Sequence, residues 1–553
     1  MKKPAMRIIP LGGLGEIGKN MMVLEYGGRL LVIDAGLMFP RDELLGIDLI
    51  IPDFTYLRER ADQLEAVLLT HGHEDHVGAL PFLLREINVP VYGTRLTLGL
   101  VRNKLEEHGL AADSELIEVE AGKPRQIGPF FCDFIPVAHS IPDGIAVAVK
   151  TPAGTVVHSG DFKLDPNPID RRRTDLSKFG ELGGEGVLLL LSDSTNAETQ
   201  GVTGPEKSVG KTLNDIFSQA PGRIIAASFA SHIHRIQQIV DTARRHRRKI
   251  AIVGRSMVKN IQIARELGYL KIPDEMIITL GEVNDYRPTK VVIICTGSQG
   301  EPLSALSRMA AGDHKKVDLA EGDTVILSAK PVPGNEVSVH HVINRLFKRG
   351  VNVVYESVAP VHVSGHAARE ELKTLINMTQ PKYLMPIHGE YRHIHFHALL
   401  AEEMGMDRRR IIKASNGDVV RLAGGKVEIV DSIEAGMTFV DGLDVGDIQD
   451  VALRDRKRIS RDGTLIVVAP VREQDGSIVA RPEITTKGFV YMGNKRELMK
   501  EVSALVEEIL SEGSRKGDSD PVLMQEHIHR RLAKFIYKKT RKRPLIIALV
   551  VEV

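Results

Sequence analysis

The sequence predicts an α/β protein: packed sheets covered by helices at the start, a parallel sheet in the middle and a small α/β domain at the end. Three observations predict this. Short strands with tight turns arrive in runs over the first third, with helices interspersed. From about residue 206 apolar strands alternate with helical segments, a βαβα rhythm that implies a parallel sheet. Beyond a charge-rich stretch near residues 450–465, further strands flank two amphipathic helices. At 553 residues the chain holds roughly three or four domains' worth of sequence.

In the first third, Met21–Tyr26 and Arg29–Ile33 flank Gly27-Gly28, a hairpin signal. Ala66–Leu69 reads as a buried strand and His76–Ile87 as a short helix with Pro81 in its first turns. Phe130–Val137, Ile145–Lys150, Thr155–His158 and Leu188–Leu191 continue the strand pattern. In the middle, the strands are Ile224–Ser228, Lys249–Val253, Val291–Thr296 and Thr324–Ser328, with helices over His234–Arg247 and Val337–Arg349. Lys382–Pro386 is a further buried strand, ending near a histidine. Residues 450–465, with Arg454-Asp455-Arg456-Lys457-Arg458, read as a linker. Thr464–Val471, Phe489–Tyr491 and Leu545–Val553 are the last strands, and helices cover about 495–512 and 521–539.

Composition excludes several classes. Hydrophobic residues make up 43% and charged residues 26%, ordinary for a globular protein and too apolar for dominant disorder. The 2 cysteines, Cys132 and Cys295, exclude a disulfide scaffold and any Cys-rich zinc module, so a metal must be held by histidines and carboxylates. With 73 basic and 72 acidic residues there is no globally basic surface, and nucleic-acid binding must use local patches. The runs Arg244–Lys249 and Lys538–Arg543 are such patches, or plain solvated faces. The opening Met1-Lys2-Lys3-Pro4 and the short run after it do not make a signal peptide, and no apolar run is long enough to span a membrane. A cytoplasmic location is therefore expected.

Gly13-Leu14-Gly15-Glu16-Ile17-Gly18 matches a dinucleotide fingerprint, with Asp34 at a tempting distance. That motif needs a helix after it, to place the pyrophosphate on the helix N-terminus. The segment that follows, Met21–Tyr26, has strand character, so the expected role is a glycine-rich turn between strands.

The strongest chemical signal is Thr70-His71-Gly72-His73-Glu74-Asp75-His76, at the end of a buried strand and before a helix. In extended backbone, side chains two apart point the same way, so His71 and His73 can share one metal. Asp75 and His76, at the helix start, can aim at a second. Imidazole with carboxylate suits zinc, manganese or iron. Glu74 reads as an outer hydrogen-bonding group or a solvent-facing one. Val137-Ala138-His139-Ser140, His158-Ser159-Gly160-Asp161 and Met385-Pro386-Ile387-His388-Gly389-Glu390 each place a ligand-type residue just past a strand. Singly, His139 reads as structural and Asp161 as a turn residue; together the segments complete a two-metal site.

His71-Gly72-His73-Glu74-Asp75-His76 with His139 and Asp161 resembles the metallo-β-lactamase fold, which implies an αββα sandwich with metals at one edge. Residues 190–390 resemble its β-CASP nuclease branch. Ser192-Asp193-Ser194-Thr195-Asn196 is similar to motif A, Ser364-Gly365-His366-Ala367 to motif B and Ile387-His388-Gly389-Glu390 to motif C. The whole chain resembles the bacterial ribonuclease J family. The resemblance implies a metallo-β-lactamase domain over 1–206 and 360–449, an inserted β-CASP domain over 207–359, a linker over 450–465 and a C-terminal α/β domain over 466–553. It implies two divalent ions per subunit, zinc or manganese. His71, His73 and His139 would hold one, Asp75, His76 and His388 the other, with Asp161 bridging. The histidine at 388 resembles RNA-acting members, since DNA-acting relatives carry valine there.

The activity implied is 5′-to-3′ exoribonuclease and endoribonuclease cleavage of single-stranded RNA, in mRNA decay and rRNA maturation, leaving 5′-phosphates. Asp75, His366 and Asp193 are the candidate catalytic residues. His366 would stabilise the phosphate or protonate the leaving oxygen, and Asp193 would orient a histidine; His366 also reads as a structural partner of a ligand. Ser364, Gly365, His366, Ser231, His232 and Asn335 are the candidate RNA-binding residues. The loops Ser228–His232 and Gly334-Asn335-Glu336 precede helices and offer N–H groups to a terminal phosphate, or are ordinary capping by serine and asparagine. The implied partners are a second copy of the chain, as homodimer or tetramer through the C-terminal region, and an RNA-degradation complex. Three other readings compete: a small-molecule metallohydrolase, a DNA-processing β-CASP enzyme and a non-catalytic RNA-binding scaffold.

Overall fold

The computed structural model describes residues 5–40, 44–442, 444–446, 450–474, 476–489, 495–515 and 520–553. It divides into two compact units, residues 1–39 with 49–438, and residues 40–48 with 439–553.

In the first unit, two sheets face one another across a shared core. One has 8 strands, ordered Lys426–Ser432, Asp418–Ala423, Met6–Gly12, Met21–Tyr26, Arg29–Ile33, Leu64–Leu68, Val91–Gly93 and Leu116–Glu118. The other has 6, ordered Tyr383–Ile387, Leu189–Asp193, Gly154–His158, Ile145–Thr151, Phe130–Pro136 and Arg125–Ile127. Alternation along each strand explains the layering. Leu189 and Leu191 enter the core between the sheets with Leu24, Leu68 and Phe134. Leu190 points the other way, into a second core with Phe179, Leu375 and Ala398 from covering helices. A strand buried on both faces must read as an unbroken apolar run, as Leu188–Leu191 does.

The insertion holds a third sheet of 5 parallel strands, ordered Lys249–Val253, Val291–Cys295, Ile224–Ala227, Thr324–Leu327 and Asn352–Val354. Its two faces feed separate cores, Ile224 and Ala226 on one side and Ile225 and Ala227 on the other. The βαβα rhythm is thus realised as a doubly covered parallel sheet.

Three local expectations change. The helix expected over His76–Ile87 is two helices, Glu74–Val77 and Leu80–Glu86. Pro81 has no N–H to donate and suits the first turn of a new helix rather than the middle of an old one. The charged stretch expected as a linker forms the helix Asp450–Asp462. Its Arg, Lys, Asp and Leu content is compatible with helix, and Arg456 pairs with Asp441 and reaches the Leu45 carbonyl. Phe489 lies outside any strand, and the rest of the strand expected over Phe489–Tyr491 lies outside the described residues. The third strand of that sheet is Glu483–Lys487, whose polar sequence carries little apolar signal.

In the second unit that strand pairs antiparallel with Thr464–Val471, which pairs parallel with Leu545–Glu552. One face packs Val467, Ala469 and Ile546 on Val506, Ile528 and Leu532 of the helices Lys495–Arg515 and Pro521–Thr540. The opposite alternation leaves Ile547, Leu549 and Val551 exposed at 37%, 45% and 44%. Among the described residues no helix is long and apolar enough to cross a membrane.

The glycine-rich segment opens no helix. Met6–Gly12 leads through it to Met21–Tyr26, with only the two-residue strand Leu14–Gly15 between.

Candidate metal centre

Topology assembles the site. Gly154–His158, Leu189–Asp193 and Tyr383–Ile387 are neighbouring parallel strands, so their C-terminal ends lie along one edge of the sheet. Asp161, Asp193 and His388 stand at those ends. The facing sheet contributes the loop after Leu64–Leu68, with His71, His73, Asp75 and His76. Crevices beyond the carboxyl ends of parallel strands are the usual place for a site in such sheets.

Two groups of ligand-type atoms converge. His71, His73, His139 and Asp161 form one, and Asp75, His76, Asp161 and His388 the other, so Asp161 belongs to both. In the first, His73 Nδ1 lies 3.0 Å from His71 Nε2 and 3.1 Å from His139 Nε2. In the second, Asp161 Oδ2 lies 3.2 Å from His76 Nε2, and Asp75 Oδ2 lies 3.5 Å from His388 Nε2. His366, Asp193, Asp161 and His388 make a third, overlapping group. Most of these residues are buried, while the side chains of Asp75 and His366 are 31% and 20% exposed, so the cluster opens to solvent on their side.

The distal ring nitrogens are already committed. His139 Nδ1 donates to the Gly365 carbonyl at 2.8 Å, and His76 Nδ1 donates to Asp34 Oδ2 at 2.7 Å. The Thr70 hydroxyl lies 3.1 Å from His71 Nδ1 and donates to Asp34 at 2.8 Å. For the neutral rings of His71 and His139 this leaves the inward nitrogen as a lone pair, the state a metal ligand requires. His388 Nε2 is buried with no hydrogen-bond partner. A Cβ on Gly365 would lie 2.6 Å from the His139 ring, so this close approach of backbone to ring needs glycine.

Electrostatics point the same way. Burial, reinforced by neighbouring histidines, holds His71 and His139 well below the usual imidazole range, and burial takes His73 down to about 4. These three are neutral at physiological pH, as metal binding requires. Burial also opposes charge on His388, but Asp161 and Asp75 outweigh it and raise the ring to about 10. His76 is likewise held high against burial by Asp161, Asp75 and Asp34. Asp161 stays ionised despite burial because His388 and His76 face it. Positive charge is therefore demanded where the two groups meet, and a divalent cation fits this donor set.

The remaining predicted residues divide. Asp193 Oδ2 lies 2.8 Å from His366 Nδ1. Ser364 Oγ accepts from the His366 N–H at 3.1 Å, so Ser364, Gly365 and His366 form one loop at the centre. His232 is buried, and its own Nδ1 caps the helix Ile233–Arg245 by accepting from Arg235 N; Ser231 does not cap it. The His232 ring lies 6.4 Å from His362, two residues before Ser364. Ser228 Oγ, His232 Nε2 and His362 Nδ1 are all buried without partners. Asn335 precedes the helix Glu336–Lys348 without capping it, and its side chain reaches Gln299 at 3.4 Å. Glu74 pairs with Lys104 at 2.6 Å. Sequence reasoning did not assign Asp34, Thr70 or Asn20 to the centre. Asp34 stood out only as part of a false fingerprint, though a carboxylate ending an apolar strand was a usable signal.

The chain matches the model of the metallo-beta-lactamase superfamily over residues 14–200 and that of the ribonuclease J beta-CASP domain over 221–346. It matches the Zn-dependent metallo-hydrolase RNA specificity domain over 350–412 and the ribonuclease J C-terminal domain over 451–553. It is 42% identical to ribonuclease J2 of Bacillus subtilis over 548 residues, covering 99% of both chains. It is 44% identical to ribonuclease J of Thermus thermophilus over 555 residues, covering 99% of this chain and 95% of that one. A solved protein of unknown function from Enterococcus faecalis shares the fold, with a TM-score of 0.54 at 15% identity, over 76% of this chain and all of that one.

Proposed function

Because the chain belongs to the ribonuclease J family, we propose that it degrades single-stranded RNA from the 5′ end and also cuts internally, favouring 5′-monophosphate ends. It is a metal-dependent hydrolase, and its substrate is RNA. The observation that carries the reading is the pair of ligand groups sharing Asp161 beside the Asp193–His366 pair. Two divalent ions bound there, zinc or manganese, would supply Lewis-acid polarisation of the scissile phosphate and activation of a water.

The rest falls to the chain's own residues. His71, His73 and His139 would hold the first ion, and Asp75, His76 and His388 the second, with Asp161 common to both groups. The water oxygen joins phosphorus, its proton passing to solvent, as the bond to the 3′ oxygen breaks; His366 Nε2 gives the 3′ oxygen a proton, or hydrogen-bonds the phosphate while solvent supplies that proton. Against the cost of burial, Asp193 and Asp161 keep His366 above the ordinary imidazole range and so in donor form. The products carry a 5′-phosphate and a 3′-hydroxyl.

A terminal phosphate is read as sitting near the loops of Ser231, His232 and Ser364. Supporting this, Ser228 Oγ, His232 Nε2 and His362 Nδ1 are buried there without hydrogen-bond partners. The exposed face of Ile547, Leu549 and Val551 suits pairing of two copies through the C-terminal unit, as dimer or tetramer. A cytoplasmic role in mRNA decay and rRNA maturation, alone or in an RNA-degradation complex, completes the proposal.

The test offers a single-stranded RNA with a 5′-monophosphate, its 5′-triphosphate twin and a matching DNA, with zinc, manganese or both. The control is the double variant Asp75→Ala, His76→Ala. Mononucleotide release from the monophosphorylated RNA, lost in the control, is expected. RNA left intact under every metal condition while DNA is cut would overturn the substrate.

A further inference from the structure

We propose that the glycine-rich loop of residues 12–20 is a clamp that positions the ligands of the second ion, with Glu16 as its lock; the inference rests on the two-metal reading. The loop reaches those ligands from both sides. Leu14–Gly15 pairs in parallel with Gly389–Glu390, and Gly389 N donates to the Gly13 carbonyl at 3.2 Å. Between that ladder and the strand Tyr383–Ile387 sits His388, at φ 51. A left-handed backbone at a non-glycine residue is unfavourable and persists only where its surroundings impose it. Here the His388 carbonyl accepts from Ser194 N at 3.3 Å and Thr195 Oγ1 at 3.2 Å, while the glycine loop grips the next residue.

At its other end the loop holds Asp75 and lies against His76, two further members of that group. Asn20 donates to the Asp75 carbonyl twice, from its backbone N at 3.0 Å and from Nδ2 at 3.1 Å. Its Nδ2 also lies 3.2 Å from His76 Nε2. One nine-residue loop thus touches Asp75, His76 and the strand that fixes His388.

The loop is itself fastened by one carboxylate. Glu16 Oε1 accepts from Gly13 N at 3.3 Å and Asn416 Nδ2 at 2.8 Å, and pairs with Lys19 Nζ at 3.3 Å. Asn416 Oδ1 returns the contact by accepting from Leu14 N at 3.1 Å. Lys19 is 1% exposed, so its charge needs that partner. Gly13 has φ 88, and a Cβ there would lie 2.3 Å from Asn20 Oδ1, so the fold of the loop on itself requires glycine. The fingerprint-like spacing therefore serves compact packing rather than a phosphate. The first ion's histidines are oriented instead by Thr70 and Gly365. Disturbing the clamp should weaken one ion and spare the other.

The test is calorimetric titration of manganese into the full chain, stripped with chelator, for wild type, Glu16→Ala and Glu16→Gln. Wild type is expected to bind in two steps. Glu16→Ala should keep the first and weaken the second tenfold or more, the usual size of an outer hydrogen-bond effect on a metal. Glu16→Gln should recover part of the loss, since its amide oxygen still accepts from Gly13 N and Asn416. Asn416→Ala is the second variant should Glu16→Ala fail to fold. Equal weakening of both steps, or two steps unchanged, would overturn the clamp alone. A wild-type chain that binds one ion would overturn the two-metal reading and the clamp with it.

Discussion

Asp193 Oδ2 lies 2.8 Å from His366 Nδ1, joining the end of one core strand to a loop that follows the whole insertion. The same imidazole Nδ1 is 3.9 Å from Asp161 Oδ2. One side of the ring is therefore held by carboxylates and the other is left to face solvent.

Asp193→Asn tests that arrangement. The two carboxylates raise His366 against the cost of burial, so its protonated form extends to higher pH. If that form is the donor, activity falls as pH rises through its pKa. Asparagine should lower kcat on RNA about a hundredfold and move this alkaline limb to lower pH. A drop in kcat with the limb in place would mean that Asp193 only supports the loop.

Arg235 is fully buried, with Nε and Nη2 on Glu206 Oε1 at 3.0 and 2.7 Å and Nη1 on the Val361 carbonyl at 2.5 Å. It ties the chain where it enters the insertion to where it leaves. Arg235→Met strands a buried carboxylate and should cost about 3–5 kcal/mol. Adding Glu206→Leu removes the stranded charge and should return much of the loss. Urea denaturation followed by circular dichroism measures both; a double variant no better than the single one would refute the pairing.

His397 is buried against Ser194 Oγ at 3.0 Å, and burial lowers it to about 4. An unfolded imidazole titrates near 6.5, so below that pH the unfolded chain takes up the proton first. The contribution is complete above about pH 6.5 and drains as pH falls towards 4, about 3 kcal/mol in all. Melting temperatures of metal-free protein between pH 7 and 4 should fall less steeply for His397→Asn than for wild type. Equal slopes would assign the acid sensitivity to other groups.

The clustering of the centre's ligand-type side chains was legible because they are close in sequence or sit at strand ends. His71 and His73 are two apart in extended backbone, and Asp75 and His76 open a helix, so local geometry aims them. His139, Asp161 and His388 each follow an apolar run, and strand ends at one sheet edge are where polar side chains can gather without burial in the core. The layered cores were legible for a related reason: unbroken runs such as Leu188–Leu191 serve two faces at once.

What escaped depends on partners distant in the chain. Asp34 and His76 are 42 residues apart, and Glu16 and Asn416 are 400 apart, so no spacing rule connects them. The strand Glu483–Lys487 escaped because it pairs through its backbone, which every residue carries. The sequence by itself determined which side chains can bind metal and which segments must be buried, because side-chain chemistry and hydrophobic periodicity are local. Only the tertiary structure decided which ring nitrogen faces inward, which carboxylate orients which histidine and what the glycine loop holds. Those are properties of hydrogen bonds formed when remote strands share an edge.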